Sequence, residues 1–437
     1  MGSRGPSVAG DRAAPLARTF RTAYGTHLLV VPHSRIFDVG SAVIKDEELP
    51  ATLLAALADT AVSEVPLEDV AEPAPQSISL NVSSSCNLSC SYCYADRGAF
   101  GGAQSQPMSW AVARAAIDML LRQASPAAPV TIGFLGGEPF VNRRLIHRAV
   151  EYASTEGRRS GLDVRFSVTT NGTLLQPEDI ALLRQHRFAV TVSVDGTEDL
   201  HDRQRPQVNR AGSFALLRRA SAALLADPGL ARVTARATVR AGTFDLRERF
   251  EAIVGLGFQE VGFAPLRAAG PGAGALTEQD WEPYLRALID VATFELPRAY
   301  RAAPIRLSNF AIALKQLYRG ASSPYPCGAG GGYFSVGADG DWFACHRAVG
   351  SDRFRIGDNG GLDADRRRAF LVAGHVHAQA PCRTCWARYL CSGGCHQEAS
   401  SRTDSSCGFV RGWLEFCLQA YCALVRESPE FFASMFT

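Results

Sequence analysis

The sequence predicts an α/β protein: a parallel sheet wrapped by helices, preceded by a small N-terminal α+β unit and followed by a cysteine-rich C-terminal region. Two observations carry this. Between residues 77 and about 269, short apolar runs alternate with helical stretches six times, and strands separated by helices demand crossover connections and a parallel sheet. Nine of the twelve cysteines lie from Cys327 onward, so the end of the chain differs in kind from its middle. A length of 437 residues suits two or three domains, and 46% hydrophobic residues can fill a sizeable core.

A formal charge of +2 offers no electrostatic case for nucleic acid or an anionic membrane. No apolar run approaches bilayer-spanning length, and no signal peptide is visible. Twelve cysteines without a secretion signal point to a reducing, cytoplasmic setting and to metal clusters rather than disulfides.

The elements follow in order. Residues 1–18 are small, polar and rich in Ala, Gly and Pro, which predicts a disordered tail. In the unit at 19–76, residues 26–32 and 35–39 read as strands joined by a turn at 32–34, and 49–57 reads as a helix. The Pro-punctuated stretch 72–75 is a linker. This unit either caps the main domain or docks a peptide along a hairpin edge. The main domain, 77–300, predicts strands at 79–82, 130–135, 164–168, 189–194, 233–239 and 260–264. Helices are expected at 110–122, 142–155, 177–184, 214–225 and 246–256. A bridging segment at 301–326 leads to a C-terminal domain at 327–437. In such folds ligands sit at the carboxyl ends of the strands, so residues there are the candidates.

The loop after the first strand reads Cys86-Asn-Leu-Ser-Cys90-Ser-Tyr-Cys93. Three thiolates on one short loop can hold three irons of a [4Fe–4S] cube and leave the fourth without a protein ligand. Structural zinc would want a fourth N or S ligand nearby, and disulfide frameworks belong to short secreted chains. The second strand ends in Gly136-Gly137-Glu138-Pro139, where glycines allow close backbone approach and the acid can receive a cationic amino group. The third ends in Thr170-Asn171-Gly172, and the fourth in Ser193-Val-Asp195-Gly196, followed by His201 to Arg205.

This order of segments resembles the radical S-adenosylmethionine (SAM) enzymes, and the resemblance implies a partial (β/α)6 barrel of the TIM type. It further implies that Cys86, Cys90 and Cys93 hold the SAM-cleaving cluster, with Tyr92 at the family's aromatic position. Gly136, Gly137 and Glu138 would bind the SAM ammonium, Asn171 its ribose or carboxylate, and Ser193 and Arg205 its carboxylate.

Further on come Cys327-Gly328, Cys345, then Cys382-x2-Cys385-x5-Cys391-x3-Cys395, and Cys407. The spacing resembles the SPASM domain, which carries two auxiliary [4Fe–4S] clusters, three clusters in all. By that resemblance Cys327, Cys345 and Cys395 hold the first, and Cys382, Cys385, Cys391 and Cys407 the second. Two departures stand out: no further cysteine follows Cys327 closely, and Cys407 comes early. Cys417 and Cys422 sit in an apolar helical pattern and read as core thiols.

The resemblance implies a peptide maturase using a 5′-deoxyadenosyl radical. The N-terminal hairpin and Cys345-His-Arg-Ala-Val-Gly350 are similar to cross-linking maturases, including the quinohemoprotein amine dehydrogenase maturase type. The expected product is an intramolecular thioether or carbon–carbon cyclophane in a ribosomal peptide or small protein. The expected partners are a substrate with a leader segment and a flavodoxin- or ferredoxin-type electron donor. The alternative is formylglycine formation in a sulfatase, which needs a general base that the sequence does not offer. A plain iron–sulfur electron carrier would not need the SAM-contact segments.

Overall fold

The computed structural model describes residues 14–39, 70, 72–100, 106–226, 229–230, 232–267, 274–320 and 322–435. The chain opens on an antiparallel sheet of β1 (Ala17–Thr22), β2 (Gly25–Val30) and β3 (Arg35–Val39), in that order. The expected turn at 32–34 is a short 3-10 turn at Val31–His33, closed by Ser34 in a left-handed conformation. The expected tail at 1–18 is corrected at its end, because Ala17 and Arg18 pair with Val30 and Leu29 in β1. Composition hid this strand since its partners are tertiary: Arg18 meets Glu415 at 2.7 Å and stacks over Trp386 at 4.1 Å. Residues 1–13 and the expected helix at 49–57 lie outside the described residues.

Six parallel strands form the main sheet in chain order: β4 (Ser77–Ser83), β5 (Val130–Gly136), β6 (Val164–Thr170), β7 (Ala189–Ser193), β8 (Arg232–Val239) and β9 (Val261–Pro265). The crossovers are α1 (Trp110–Gln123), α2 (Arg143–Arg159), α3 (Pro177–Gln185), the pair α4 (Glu198–Gln204) and α5 (Phe214–Leu225), and α6 (Leu246–Gly255). Every strand and helix expected between 77 and 269 is present, and α4 is additional. Such a βαβ order winds into the expected partial barrel.

Side chains alternate across each strand, and here the two faces differ sharply. Ile78, Leu80, Val82, Ile132, Phe134 and Val192 are fully buried against the helices. The opposite face lines the barrel interior with Thr169, Thr191, Ser193, Thr234, Arg236 and Thr238. A packed barrel would fill this space with branched apolar side chains. Polar residues there leave a cavity.

Beyond β9 come α7 (Trp281–Ala299) and α8 (Ser308–Arg319). The expected bridging segment is therefore part of the barrel wall: Leu307 bridges to Val261, and the Asn309 amide exchanges two 2.9 Å hydrogen bonds with the Phe263 backbone. The expected boundary at 327 is also displaced. β10 (Tyr333–Val336) pairs in parallel with β4, and β11 (Trp342–Phe343), β12 (Arg355–Asp358) and β13 (Gly361–Leu362) extend the sheet to ten strands. The cysteine-rich stretch follows with α9 (Ala364–Gly374), α10 (Ala380–Arg383) and α11 (Arg388–Cys391). The long α12 (Asp404–Glu427) packs on α7 and α8, with Phe409 stacked on Tyr284 at 4.9 Å. Cys417 and Cys422 are buried in α12. Among the described residues no helix is long and apolar enough to cross a membrane.

Candidate active site

The cysteine loop lies across the end of β5. Gly137 N–H donates to Ser83 at 2.8 Å and Glu138 N–H to Ser85 at 3.0 Å. A Cβ on Gly137 would stand 2.1 Å from the Arg97 carbonyl oxygen and 2.4 Å from that of Ser85. The paired glycines thus let two backbones cross, which any other residue would push apart. Backbone N–H groups point at the sulfurs: Leu88 donates to Cys86 at 3.4 Å and Arg97 to Cys93 at 3.2 Å. Burial pushes the Cys86 thiol up to about 12 and Cys90 to about 11, the latter opposed by the Arg205 charge, and each thiol feels the charge of its neighbours. Thiols so buried ionise only when a metal takes the charge.

These thiols stand at one wall of a cavity of about 630 Å³ inside the barrel, within the size range of small-molecule sites. Tyr92, Gly136, Gly137, Glu138, Asn171, Ser193 and Arg205 all line it. A donor set of three thiols beside a cavity of this size fits a cluster with an open iron and a bound SAM.

Several of these residues are held by partners that the motifs do not announce. Asp195, fully buried, accepts from Tyr92 Oη at 2.5 Å, from Arg205 Nε at 3.0 Å and Nη2 at 3.3 Å, and from Thr238 N at 3.0 Å. Burial raises its carboxyl, but Arg205 and these donors outweigh it and hold the group below its ordinary value. Arg249 clamps the Asp195 carbonyl at 2.6 Å. Sequence reasoning saw Asp195 only as half of a strand-exit Asp-Gly and gave it no role.

Glu138, expected to receive an ammonium, already accepts from Thr170 Oγ1 at 2.7 Å, Asn171 N at 2.7 Å and Phe140 N at 3.2 Å. Burial lifts it to about 7, against those donors. Its carboxylate is first a joint between β5 and β6. Asn171 likewise turns to the cysteine loop, donating to Asn87 Oδ1 at 3.0 Å and to Cys86 Sγ at 3.8 Å. Ser193 stands on the cavity wall at the end of β7.

The C-terminal cysteines fall into two neighbourhoods. Cys345, pushed up to about 11 by burial, feels Cys395 and Cys327. Cys391, also pushed to about 11 by burial, feels Cys382, Cys385 and Cys407. Cations attend both: Arg347 reaches Cys395 Sγ at 3.8 Å, and Arg402 donates to Cys382 Sγ at 3.2 Å. Among the described residues no three His, Cys, Asp or Glu side chains gather as one metal ion would need. The residues after Cys345, His346 and Arg347, line the barrel cavity. His346 Nδ1 lies 2.7 Å from Tyr333 Oη, which is 2.8 Å from Ser79 Oγ, and burial lowers the imidazole to about 4.

Residues 80–227 match the model of the Radical SAM superfamily. The chain carries a radical SAM domain. Such a domain works with a [4Fe–4S] cluster and SAM, and the cysteine-rich C-terminal region fits the SPASM arrangement. An uncharacterized protein of Methanocaldococcus jannaschii is 32% identical over 30% of this chain, and a cysteine-type anaerobic sulfatase-maturating enzyme of Clostridium novyi 29% identical over 30%. These alignments span only 42% and 35% of those relatives. A serine-type anaerobic sulfatase-maturating enzyme of Klebsiella aerogenes is 23% identical over 85% of this chain and 88% of its own. In fold, the chain is similar to anSMEcpe with bound AdoMet (TM-score 0.69, 20% identity, 83% of this chain and 98% of that one). It is also similar to SuiB of Streptococcus suis bound to precursor peptide SuiA (TM-score 0.53, 14% identity, 85% and 82%).

Proposed function

We propose that this radical SAM enzyme modifies a residue within a polypeptide, and that the modification is an intramolecular cross-link. The observation that carries the reading is one cavity lined both by the Cys86–Cys90–Cys93 loop with the expected SAM contacts and by His346 and Arg347, the residues after Cys345. When bound, the cluster and SAM would supply a 5′-deoxyadenosyl radical that takes a hydrogen atom from a substrate carbon. The chain's own part is to position and to exclude water. Arg205 would meet the SAM carboxylate while Asp195 fixes its guanidinium, and Ser193 would donate beside it. Cys327, Cys345 and Cys395 would hold one auxiliary cluster, and Cys382, Cys385, Cys391 and Cys407 the other. Relatives named as sulfatase-maturating enzymes, and a structural neighbour bound to a precursor peptide, support a polypeptide substrate.

Cross-linking is taken first because the resemblance assigns only three cysteines, Cys327, Cys345 and Cys395, to one auxiliary cluster, and these feel one another's charge; a fourth place would then be left for the thiolate of a substrate cysteine. Formylglycine formation is the second reading. It is favoured by the names of the relatives that align over most of the chain.

The test is anaerobic reconstitution with SAM, a reductant and candidate polypeptides. The expected result is 5′-deoxyadenosine together with a product lighter by two hydrogens that does not react with a hydrazide. A hydrazide-reactive aldehyde would replace cross-linking with formylglycine, and absence of 5′-deoxyadenosine would overturn both.

A further inference from the structure

We propose that Arg236 is the specificity residue of the cavity, and that it recognises a carboxylate, of an Asp or Glu side chain, in the polypeptide substrate. This rests on the reading above that the cavity admits a polypeptide. Arg236 lies in the middle of β8, on the strand face that lines the barrel interior. Among the described residues no hydrogen bond or ion pair holds its guanidinium.

Every nearby acid is already taken. Glu260, on the same wall, binds Arg232 through both of its oxygens. Asp195 is filled by Arg205, Tyr92 and Thr238, and Glu138 by three donors. Glu398 is shared between two arginines, Arg347 at 2.7 Å and Arg267 at 3.2 Å. Residues 268–273, which follow β9, contain no acid in their sequence. The cavity therefore carries an excess of cationic groups, where Arg236 and Arg347 repel one another.

Arg236 is solvent-accessible on the cavity wall, so its guanidinium is open to a ligand, and its planar fork suits a carboxylate. The local packing keeps room for it. The register partner of Arg236 on β9 is Gly262, where a Cβ would stand 2.9 Å from Arg236 Nη1. Nearby, the fully buried Tyr284 has a hydroxyl with no hydrogen-bond partner among the described residues, within electrostatic reach of Arg236. SAM also has a carboxylate, but Arg205 and Ser193 are placed for it beside the cysteine loop, so the experiment must separate the two sources.

The probe is a pair of blocked hexapeptides that differ only in carrying Glu or Gln beside a central Cys, titrated into reconstituted holoenzyme with SAM bound. The Glu peptide should bind about ten- to a hundredfold more tightly. Arg236→Gln should abolish that preference while the affinity for SAM stays within about twofold, and Arg236→Lys should retain part of it. Equal affinity for the two peptides in the wild type, or no binding of either, overturns the inference even if Arg236→Gln does not fold. A loss of SAM affinity in Arg236→Gln or Arg236→Lys also overturns it, by assigning the arginine to the cofactor. A holoenzyme that makes no 5′-deoxyadenosine takes the proposed function down as well, whereas one that makes it and shows no preference sinks this inference alone.

Discussion

Replacing Asp195 by Asn asks how the charged wall of the cavity is held. Asp195 and Arg205 are both buried, at 0% and 8% exposure, and joined through two hydrogen bonds. Removing one partner of such a pair leaves an uncompensated charge, which costs about 3–5 kcal/mol. The same change frees Tyr92 and loosens the guanidinium expected to meet SAM. We therefore expect Asp195→Asn to lower the denaturation midpoint and to weaken SAM binding at least about tenfold, read by urea titration and by SAM titration of the reconstituted protein. Replacing both residues, Asp195→Asn with Arg205→Met, should recover part of the stability without recovering SAM affinity. Unchanged stability in the single variant would mean the pair does not hold the wall. None of this was legible in the sequence. A buried ion pair between a strand exit and a helix end has no periodicity and no fixed spacing, whereas the cysteine loop announces itself because its three ligands lie within eight residues.

At the scale of elements, the strands of the barrel were readable because their chemistry repeats. Runs such as Thr191-Val-Ser-Val194 and Ala235-Arg-Ala-Thr-Val239 alternate polar and apolar residues, and the two faces they define are the cavity and the helix-packed core. β1 was missed because its burial comes from Trp386 and Glu415, hundreds of residues away. The paired glycines at the end of β5 were read as allowing close backbone approach, and the backbone that approaches is the cysteine loop's own. This gives a specific expectation. Gly137→Ala forces a methyl against two carbonyl oxygens and should cost about 1–3 kcal/mol. It should also lower the iron bound at Cys86, Cys90 and Cys93 while leaving the C-terminal iron in place. Gly255→Ala is the control: nothing lies within 4 Å of its would-be Cβ at the end of α6, and alanine there should stabilise by about 0.5–1 kcal/mol. Iron analysis beside thermal melts decides this. Equal iron in both variants would show that the glycine crossing does not shape the cluster loop.

At the scale of the molecule, the barrel and the cysteine-rich region are one body. The sequence places a boundary near residue 327 because cysteine content jumps there, but composition cannot show that β10 pairs in parallel with β4 across more than 250 residues. Long-range parallel pairing leaves no local signal, since nothing between the strands is a hairpin turn. The consequence is that the first barrel strand has no exposed edge on that side, and that α7 and α8 bury their outer faces under α12 through Tyr284, Phe310, Phe409 and Trp413. A chain truncated after Pro326 would lose both. It would expose the β4 edge, a template for association with other chains, and it would uncover a large aromatic patch. It would also lack His346 and Arg347 on the cavity wall. We expect this truncation to be recovered only as aggregate or to show no cooperative unfolding. Replacing Cys382, Cys385, Cys391 and Cys407 together by Ala in the full chain should instead give a folded monomer, because the strand and helix contacts remain. Size-exclusion chromatography and near-ultraviolet circular dichroism of the two proteins separate these outcomes. A soluble, cooperatively folding fragment ending at Pro326 would restore the boundary that composition suggests, and would make the shared sheet incidental to the stability of the radical SAM domain.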